Sequence, residues 1–288
     1  MIDRICISIN NRCNLACSYC HFHEKGKIEA AEMDVFEILN NVKKYAGKGF
    51  AGKGYAGEGY TGKQFKIGFV GNGECFLDWQ ALKSYIACLE DAPGVRIYTI
   101  TNGTVRLPEE DLAFLEEHRV NVGFSIDGYR ELHDKYRCNS FDRAMENVER
   151  YRQTTGHYPT FNATVGRESL RNAGEVISFF KPFGTKVTFS RMIGKYGISL
   201  GEYRKFMEMA EKELPVRRGG LDCTMYGGLC GAGTNNYFFA NGKTYYCGNC
   251  IDLPPVGDSG ISLEELEKIS LTFDRSCCYK EFLGCYTA

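Results

Sequence analysis

Cys13, Cys17 and Cys20 have the spacing C-x3-C-x2-C, directly after the short apolar run Ile5-Cys6-Ile7-Ser8-Ile9. Three thiols on one loop suit two kinds of chemistry. They can hold zinc together with a fourth ligand, and His21 and His23 stand close by. Equally, they can bind three irons of a [4Fe–4S] cube and leave the last iron without a protein ligand. The spacing alone does not choose. These are three of fourteen cysteines in 288 residues, and seven of the fourteen, at 223, 230, 247, 250, 277, 278 and 285, fall in the last quarter. Disulfide scaffolds are short and core-poor, whereas this length builds a proper core. The opening Met1-Ile2-Asp3-Arg4 is no signal peptide. The expectation is a cytoplasmic protein whose thiols ligate metal or clusters.

The rest of the composition narrows the class. Thirty-five basic against thirty-six acidic residues give a net charge of −1. That balance argues against a broad nucleic-acid footprint, though not against a local basic pocket. No apolar run reaches the length of a membrane span, so no membrane partner is expected. With 43% hydrophobic and 25% charged residues, the chain reads as ordinary globular protein.

The elements that must carry the cysteine loop alternate. Strands are expected at 5–9, 65–70, 95–101, 120–126, 160–165 and 186–189, and helices at 35–45, 79–90, 108–118, 141–152 and 169–180. Six strands with intervening helices imply α/β architecture with a parallel sheet and right-handed crossovers, a (β/α)6 arrangement. Periodicity does not separate an open barrel from a doubly wound sheet. Around 46–64 the rhythm is interrupted by a five-residue echo, Phe50-Ala51-Gly52-Lys53-Gly54, Tyr55-Ala56-Gly57-Glu58-Gly59 and Tyr60-Thr61-Gly62-Lys63-Gln64. It reads as a glycine-rich loop insertion, the alternative being a flap facing the substrate. From about Gly219 the rhythm stops, and a small metal-stapled domain is expected over 219–288, after a first domain at 1–215.

Further motifs fall at strand ends. Gly71-Asn72-Gly73-Glu74 follows the second strand, Thr101-Asn102-Gly103 closes the third, and Ser125-Ile126-Asp127-Gly128 the fourth, continued by His133-Asp134 and Arg137. Together with Asn11-Arg12-Cys13-Asn14-Leu15-Ala16-Cys17-Ser18-Tyr19-Cys20, these segments resemble the radical S-adenosylmethionine (SAM) enzymes in order and placement. The resemblance spans approximately residues 4 to 191 and implies a partial (β/α)6 TIM-like barrel. It implies that Cys13, Cys17 and Cys20 hold a [4Fe–4S] cluster whose fourth iron is chelated by SAM, and that Tyr19 lies near the adenine, largely through its backbone. Gly73 and Glu74 would engage the SAM ammonium, although Asn72 and Cys75 depart from the family's Gly-Gly-Glu-Pro. Asn102, Ser125, Arg137 and Arg191 would line the pocket, Ser125 on the ribose or carboxylate and Arg137 as a bidentate clamp for the carboxylate. His133 has the alternative of a surface helix cap.

In the last quarter, Asn241-Gly242 between the aromatic-rich runs Tyr237-Phe238-Phe239-Ala240 and Lys243-Thr244-Tyr245-Tyr246 predicts a type I′ hairpin. A helix is expected at about 262–269. The pattern from Cys230 through Gly242 to Cys247 resembles the opening of the SPASM and shorter Twitch extensions, which hold auxiliary clusters. That implies at least one auxiliary [4Fe–4S] cluster with Cys230 and Cys247 among its ligands. Further candidates are Cys250, Cys277, Cys278, Cys285 and Cys223, and structural zinc is the alternative. The adjacent pair Cys277 and Cys278 departs from the pattern. Cys6, Cys75, Cys88 and Cys138 read mostly as packing, Cys75 standing beside the expected SAM site.

The implied activity is reductive cleavage of SAM to a 5′-deoxyadenosyl radical that abstracts hydrogen from a ribosomally made peptide. Its product would be a crosslinked, thioether, epimerised or oxidised residue. The alternatives are a Twitch-type small-molecule dehydrogenase, a glycyl-radical-enzyme activase and, remotely, a non-enzymatic zinc or electron-transfer protein. With only twelve residues before Cys13, a peptide substrate would require a separate leader-binding protein, or recognition by the barrel mouth and tail. An electron donor such as flavodoxin or ferredoxin completes the expected partners. Nothing singles out a proton or hydrogen donor.

Overall fold

A computed structural model describes residues 1–20, 22, 31–49, 64–92, 94–192, 194–216, 231–252 and 254–270. Strands β1 (Arg4–Ile7), β2 (Phe65–Phe69), β3 (Val95–Thr101), β4 (Asn121–Ser125), β5 (Thr160–Val165) and β6 (Val187–Arg191) alternate with helices. These are α1 (Val35–Gly49), α2 (Trp79–Cys88), α3 (Glu109–Glu117), α4 (Arg130–Tyr136), α5 (Phe141–Thr155), α6 (Arg167–Arg171) and α7 (Ala173–Phe180). Helix α8 (Leu200–Glu213) follows β6, and β7 (Asn236–Ala240), β8 (Lys243–Tyr245), the two-residue β9 (Gly257–Asp258) and α9 (Leu263–Ser270) complete the described chain.

The strand order β6-β5-β4-β3-β2-β1-β7-β8-β9 decides between the two expected architectures. A doubly wound sheet reverses its order at a switch point. Here β1 to β6 lie in sequence order and pair parallel throughout, the winding of an open (β/α)6 barrel. Strand β7 adds a seventh parallel strand on the free edge of β1, in register Cys6↔Phe238. The hairpin expected in the last quarter therefore continues the barrel sheet. Asn241 and Gly242 take φ of 52° and 70°, as a type I′ turn requires.

Packing follows the alternation of the strands. Ile5, Ile7, Ile67 and Phe69 are buried in one core with Val35, Ile38, Leu39 and Val42 of α1 and Leu82 and Ile86 of α2. The opposite face carries the register row Cys6, Gly68 and Tyr98. A side chain on Gly68 would collide with the Tyr98 ring, so the glycine lets Tyr98 lie flat across β2. Its hydroxyl then reaches Cys6 Sγ, 3.2 Å away.

Several boundaries differ from expectation. Residues 46–49, assigned to the glycine-rich insertion, form the last turn of α1, where Ala46 is buried; 50–63 lie outside the described residues. The helix expected at 169–180 breaks at Asn172, which leaves helical geometry at ψ 34° and donates from Nδ2 to Tyr129 Oη at 2.9 Å. Helices α4 and α8 were not anticipated. Cys138 is exposed rather than packed.

Candidate functional site

The loop that carries Cys13, Cys17 and Cys20 leaves β1 and meets residues just past the carboxyl ends of β2, β3 and β4. Its first half is fastened to the end of β2. Glu74 N donates to Arg12 O (2.7 Å), Asn10 Nδ2 to Glu74 O (3.1 Å) and Arg12 N to Asn10 Oδ1 (3.0 Å). A Cβ at Gly73 would strike Asn10 Oδ1 and the Arg12 backbone, so only glycine admits the loop this closely.

The Glu74 side chain is buried and ties strand ends together. Oε1 accepts from Thr101 Oγ1 (2.7 Å) and Phe76 N (3.0 Å), and Oε2 from Asn102 N (2.6 Å). Burial pushes its pKa up, against these three donors. Asn102 passes the connection to the cysteines, for its Nδ2 donates to Asn14 Oδ1 at 2.8 Å and lies 3.8 Å from Cys13 Sγ. Thr104 caps the same asparagine through its backbone N and Oγ1. Cys75 faces inward, its Sγ 3.0 Å from Thr99 Oγ1, and burial holds its thiol well above the ordinary range. That makes it a packed, protonated thiol.

The second half of the loop rests on β4 and α4. Tyr19 Oη donates to Asp127 Oδ2 at 2.7 Å, and Ser18 N to Tyr136 O at 2.9 Å. Arg137 donates to the same carboxylate through Nε (2.8 Å to Oδ2) and Nη2 (3.4 Å to Oδ1), so the guanidinium expected to grip SAM is bound to Asp127 in this structure. Burial alone would raise Asp127, but Arg137 outweighs it and holds the carboxyl below its usual value; Arg137 is correspondingly raised. His133 is fully buried, not a surface cap. Its Nε2 lies 3.0 Å from Ser140 Oγ, its Nδ1 3.4 Å from Asp127 N, and burial lowers its pKa to about 4. It is a neutral imidazole holding the β4–α4 turn.

Ser125 lies half-buried in register with Asn162. Arg191 donates from Nη1 to Ile198 O at 2.9 Å and so braces the segment after β6. In the hairpin, Cys247 is half-buried, its thiol accepting from Asn249 N at 3.4 Å. The side chain of Cys250, and all of Cys223, Cys230, Cys277, Cys278 and Cys285, lie outside the described residues. Spacing missed Thr101, Asn14, Asp127 and Thr104, although each stands within two residues of one that it found.

Cys13 is exposed and Cys17 and Cys20 are half-buried. Among the described residues, no three His, Cys, Asp or Glu side chains converge to hold one metal ion. Thiols that each bind a different iron of a cube need no common point. Burial raises Cys13, and it pushes Cys17 to about 12 despite the nearby Arg137.

The chain is 27% identical over 184 residues to a cysteine-type anaerobic sulfatase-maturating enzyme of Clostridium novyi (strain NT), a match covering 60% of this chain and 46% of that enzyme. The match thus spans under half of that relative's length. Among solved structures, anSMEcpe with bound AdoMet superposes with a TM-score of 0.69 at 19% identity, over 91% of this chain and 80% of that one. Streptococcus suis SuiB bound to its precursor peptide SuiA gives 0.70 at 13% identity, over 96% and 67%. The radical SAM superfamily model matches residues 7–180, more than half of the sequence. The chain therefore belongs to the radical SAM superfamily, whose cofactors are a [4Fe–4S] cluster and SAM.

Proposed function

We propose that this enzyme is a peptide-modifying maturase, with Cys13, Cys17 and Cys20 as cluster ligands. The observation that carries the reading is that Asn102, just past β3, reaches both Cys13 and Asn14 of the loop through its side chain and Glu74, beyond β2, through its backbone. When bound, the cluster and SAM supply a 5′-deoxyadenosyl radical that takes a hydrogen atom from an unactivated C–H bond. The chain's own contribution is position. Glu74 and Asn102 hold the first half of the loop, and Asp127 the second. The neutral His133 and the packed Cys75 present no mobile proton beside it. Gly73, Glu74, Asn102 and Ser125 stand at the strand ends where SAM would lie. A peptide substrate is supported by the precursor peptide on SuiB and the Cp18Cys peptide on anSMEcpe. An auxiliary [4Fe–4S] cluster at Cys230 and Cys247, with ligands from Cys223, Cys250, Cys277, Cys278 and Cys285, and a flavodoxin or ferredoxin as electron donor belong to the same proposal.

The test is iron and sulfide content with EPR of anaerobically reconstituted protein, for wild type and a Cys13/Cys17/Cys20→Ala variant, each with and without SAM. The reading expects a reduced-cluster signal perturbed by SAM and lost in the variant, with residual iron at the auxiliary site. Zinc in place of iron, with no response to SAM, would overturn it. Conversion of a precursor peptide encoded beside the gene, read by mass spectrometry, tests the substrate.

A further inference from the structure

The buried pair Asp127 and Arg137 contacts the cluster loop between two of its cysteines, through the half-buried Tyr19. Asp127 is 1% exposed and takes four donors on its two oxygens. Oδ2 accepts from Tyr19 Oη and Arg137 Nε, while Oδ1 accepts from Thr164 N (2.9 Å) and the longer Arg137 Nη2 contact. Arg137 is 8% exposed, and its guanidinium lies over the Tyr19 ring, 5.4 Å from the centroid. One residue earlier, Tyr136 accepts from Ser18 N and packs its ring 5.9 Å from that of Tyr19. Thus two consecutive loop residues, 18 and 19, are held by two consecutive residues of α4 and its cap, and by the end of β4. Cys17 and Cys20 flank them.

A buried ion pair is weak evidence for stability, since desolvation offsets the attraction; fixing one geometry among several is its better-attested use. The carboxylate has no acceptor site to spare. The Nε–Nη2 edge of the guanidinium is engaged by Asp127, through a short Nε contact and a longer Nη2 one.

We propose that the Asp127–Arg137 pair is a positioning device that locks the cluster loop through Tyr19, and that Arg137 is not a clamp for the SAM carboxylate. This rests on the cluster reading above, but the lock itself is a property of the metal-free chain. Cys17 and Cys20 reach their iron-binding places because the residues between them are fixed beforehand. Without the lock the loop samples other arrangements, and iron is both taken up and retained less well.

Tyr19→Phe tests this with little risk to folding, because it removes one hydroxyl and leaves the ion pair intact. Hydrogen exchange of the metal-free chain should show amides 17–20 exchanging about tenfold faster, with β3 and β5 unchanged. After reconstitution, iron loss to a chelator should accelerate about threefold or more. Arg137→Lys should loosen the same amides, since an ammonium cannot reproduce the planar fork. Unchanged exchange at 17–20 in Tyr19→Phe would overturn the lock. So would an Arg137→Lys protein with loop protection intact and SAM binding weakened about tenfold, the behaviour of a clamp. If the chain takes up no iron, the cluster reading fails, and the exchange arm still judges the lock.

Discussion

At the scale of single residues, burial sets the chemistry more than residue type does. His133 and Asp127 touch, yet their titrations lie apart. The histidine has a folded pKa of about 4 against an ordinary 6.5, lowered chiefly by burial. A base with a lowered pKa favours folding in its neutral form. Its contribution is therefore complete above pH 6.5 and is lost as pH falls from 6.5 through 4, a change of about 3 kcal/mol. Asp127 is held low, so its contribution persists above its ordinary value of 3.8 and is lost only below that, in a separate window. Urea unfolding of the metal-free chain across pH 4–7 should accordingly show a slope that His133→Gln flattens by about 3 kcal/mol. Parallel curves for the two proteins would mean that His133 titrates in the folded state much as it does in the unfolded one. The same principle explains what spacing could not reveal. Glycine and acid in Gly73-Glu74 were legible as a close approach and a carboxylate. That the carboxylate is consumed by Thr101, Asn102 and Phe76 depends on where β3 ends relative to β2, which no local pattern records.

At the scale of elements, the strands and most helices were legible because each carries one strong local signal. Helix α1 buries Val35, Ile38, Leu39 and Val42 at helical spacing, and the Asn241-Gly242 turn carries its own backbone requirement. Helix α8 also had a signal, the capping box Ser199-x-x-Glu202, whose Ser199 Oγ accepts from Glu202 N at 3.2 Å, ahead of buried Tyr203, Phe206 and Met207. Helix α4 had none, being one short segment held by its contacts with the cluster loop. The inner face of the sheet was equally silent, because its residues pair across strands. Gly68 illustrates the point: its role appears only when Tyr98 lies over it. Gly68→Ala should cost about 1–3 kcal/mol by overpacking. In a Tyr98→Ala background the same change should cost less than about 1 kcal/mol, since the obstructing ring is gone. Equal costs in both backgrounds, measured by denaturant unfolding, would show that Gly68 is needed for its backbone and not for the ring.

At the scale of the whole molecule, described residues on both sides of 217–230 share one sheet and one core. Strand β7 supplies backbone partners to the full length of β1, whose following loop carries Cys13, Cys17 and Cys20. Tyr237, Phe239, Leu263 and Leu266 are buried in the same core as Ile5 and Val42. Polar contacts bind the same pieces. Tyr45 Oη donates to Glu267 Oε2 at 2.8 Å, Tyr237 Oη to Leu266 O at 3.0 Å, and the amino terminus pairs with Glu267 at 2.9 Å. Cutting the chain after Pro215 would leave β1 as an unpaired, exposed edge beside uncovered apolar side chains, a template for aggregation. We expect the 1–215 fragment to bind a hydrophobic dye, to associate at micromolar concentration and to unfold without a cooperative transition, where the full chain gives one. A monomeric fragment with a sharp denaturant transition would show that the barrel closes its own core. The hairpin would then be an attachment rather than a wall, and the cluster loop would owe its position to β2, β3 and β4 alone.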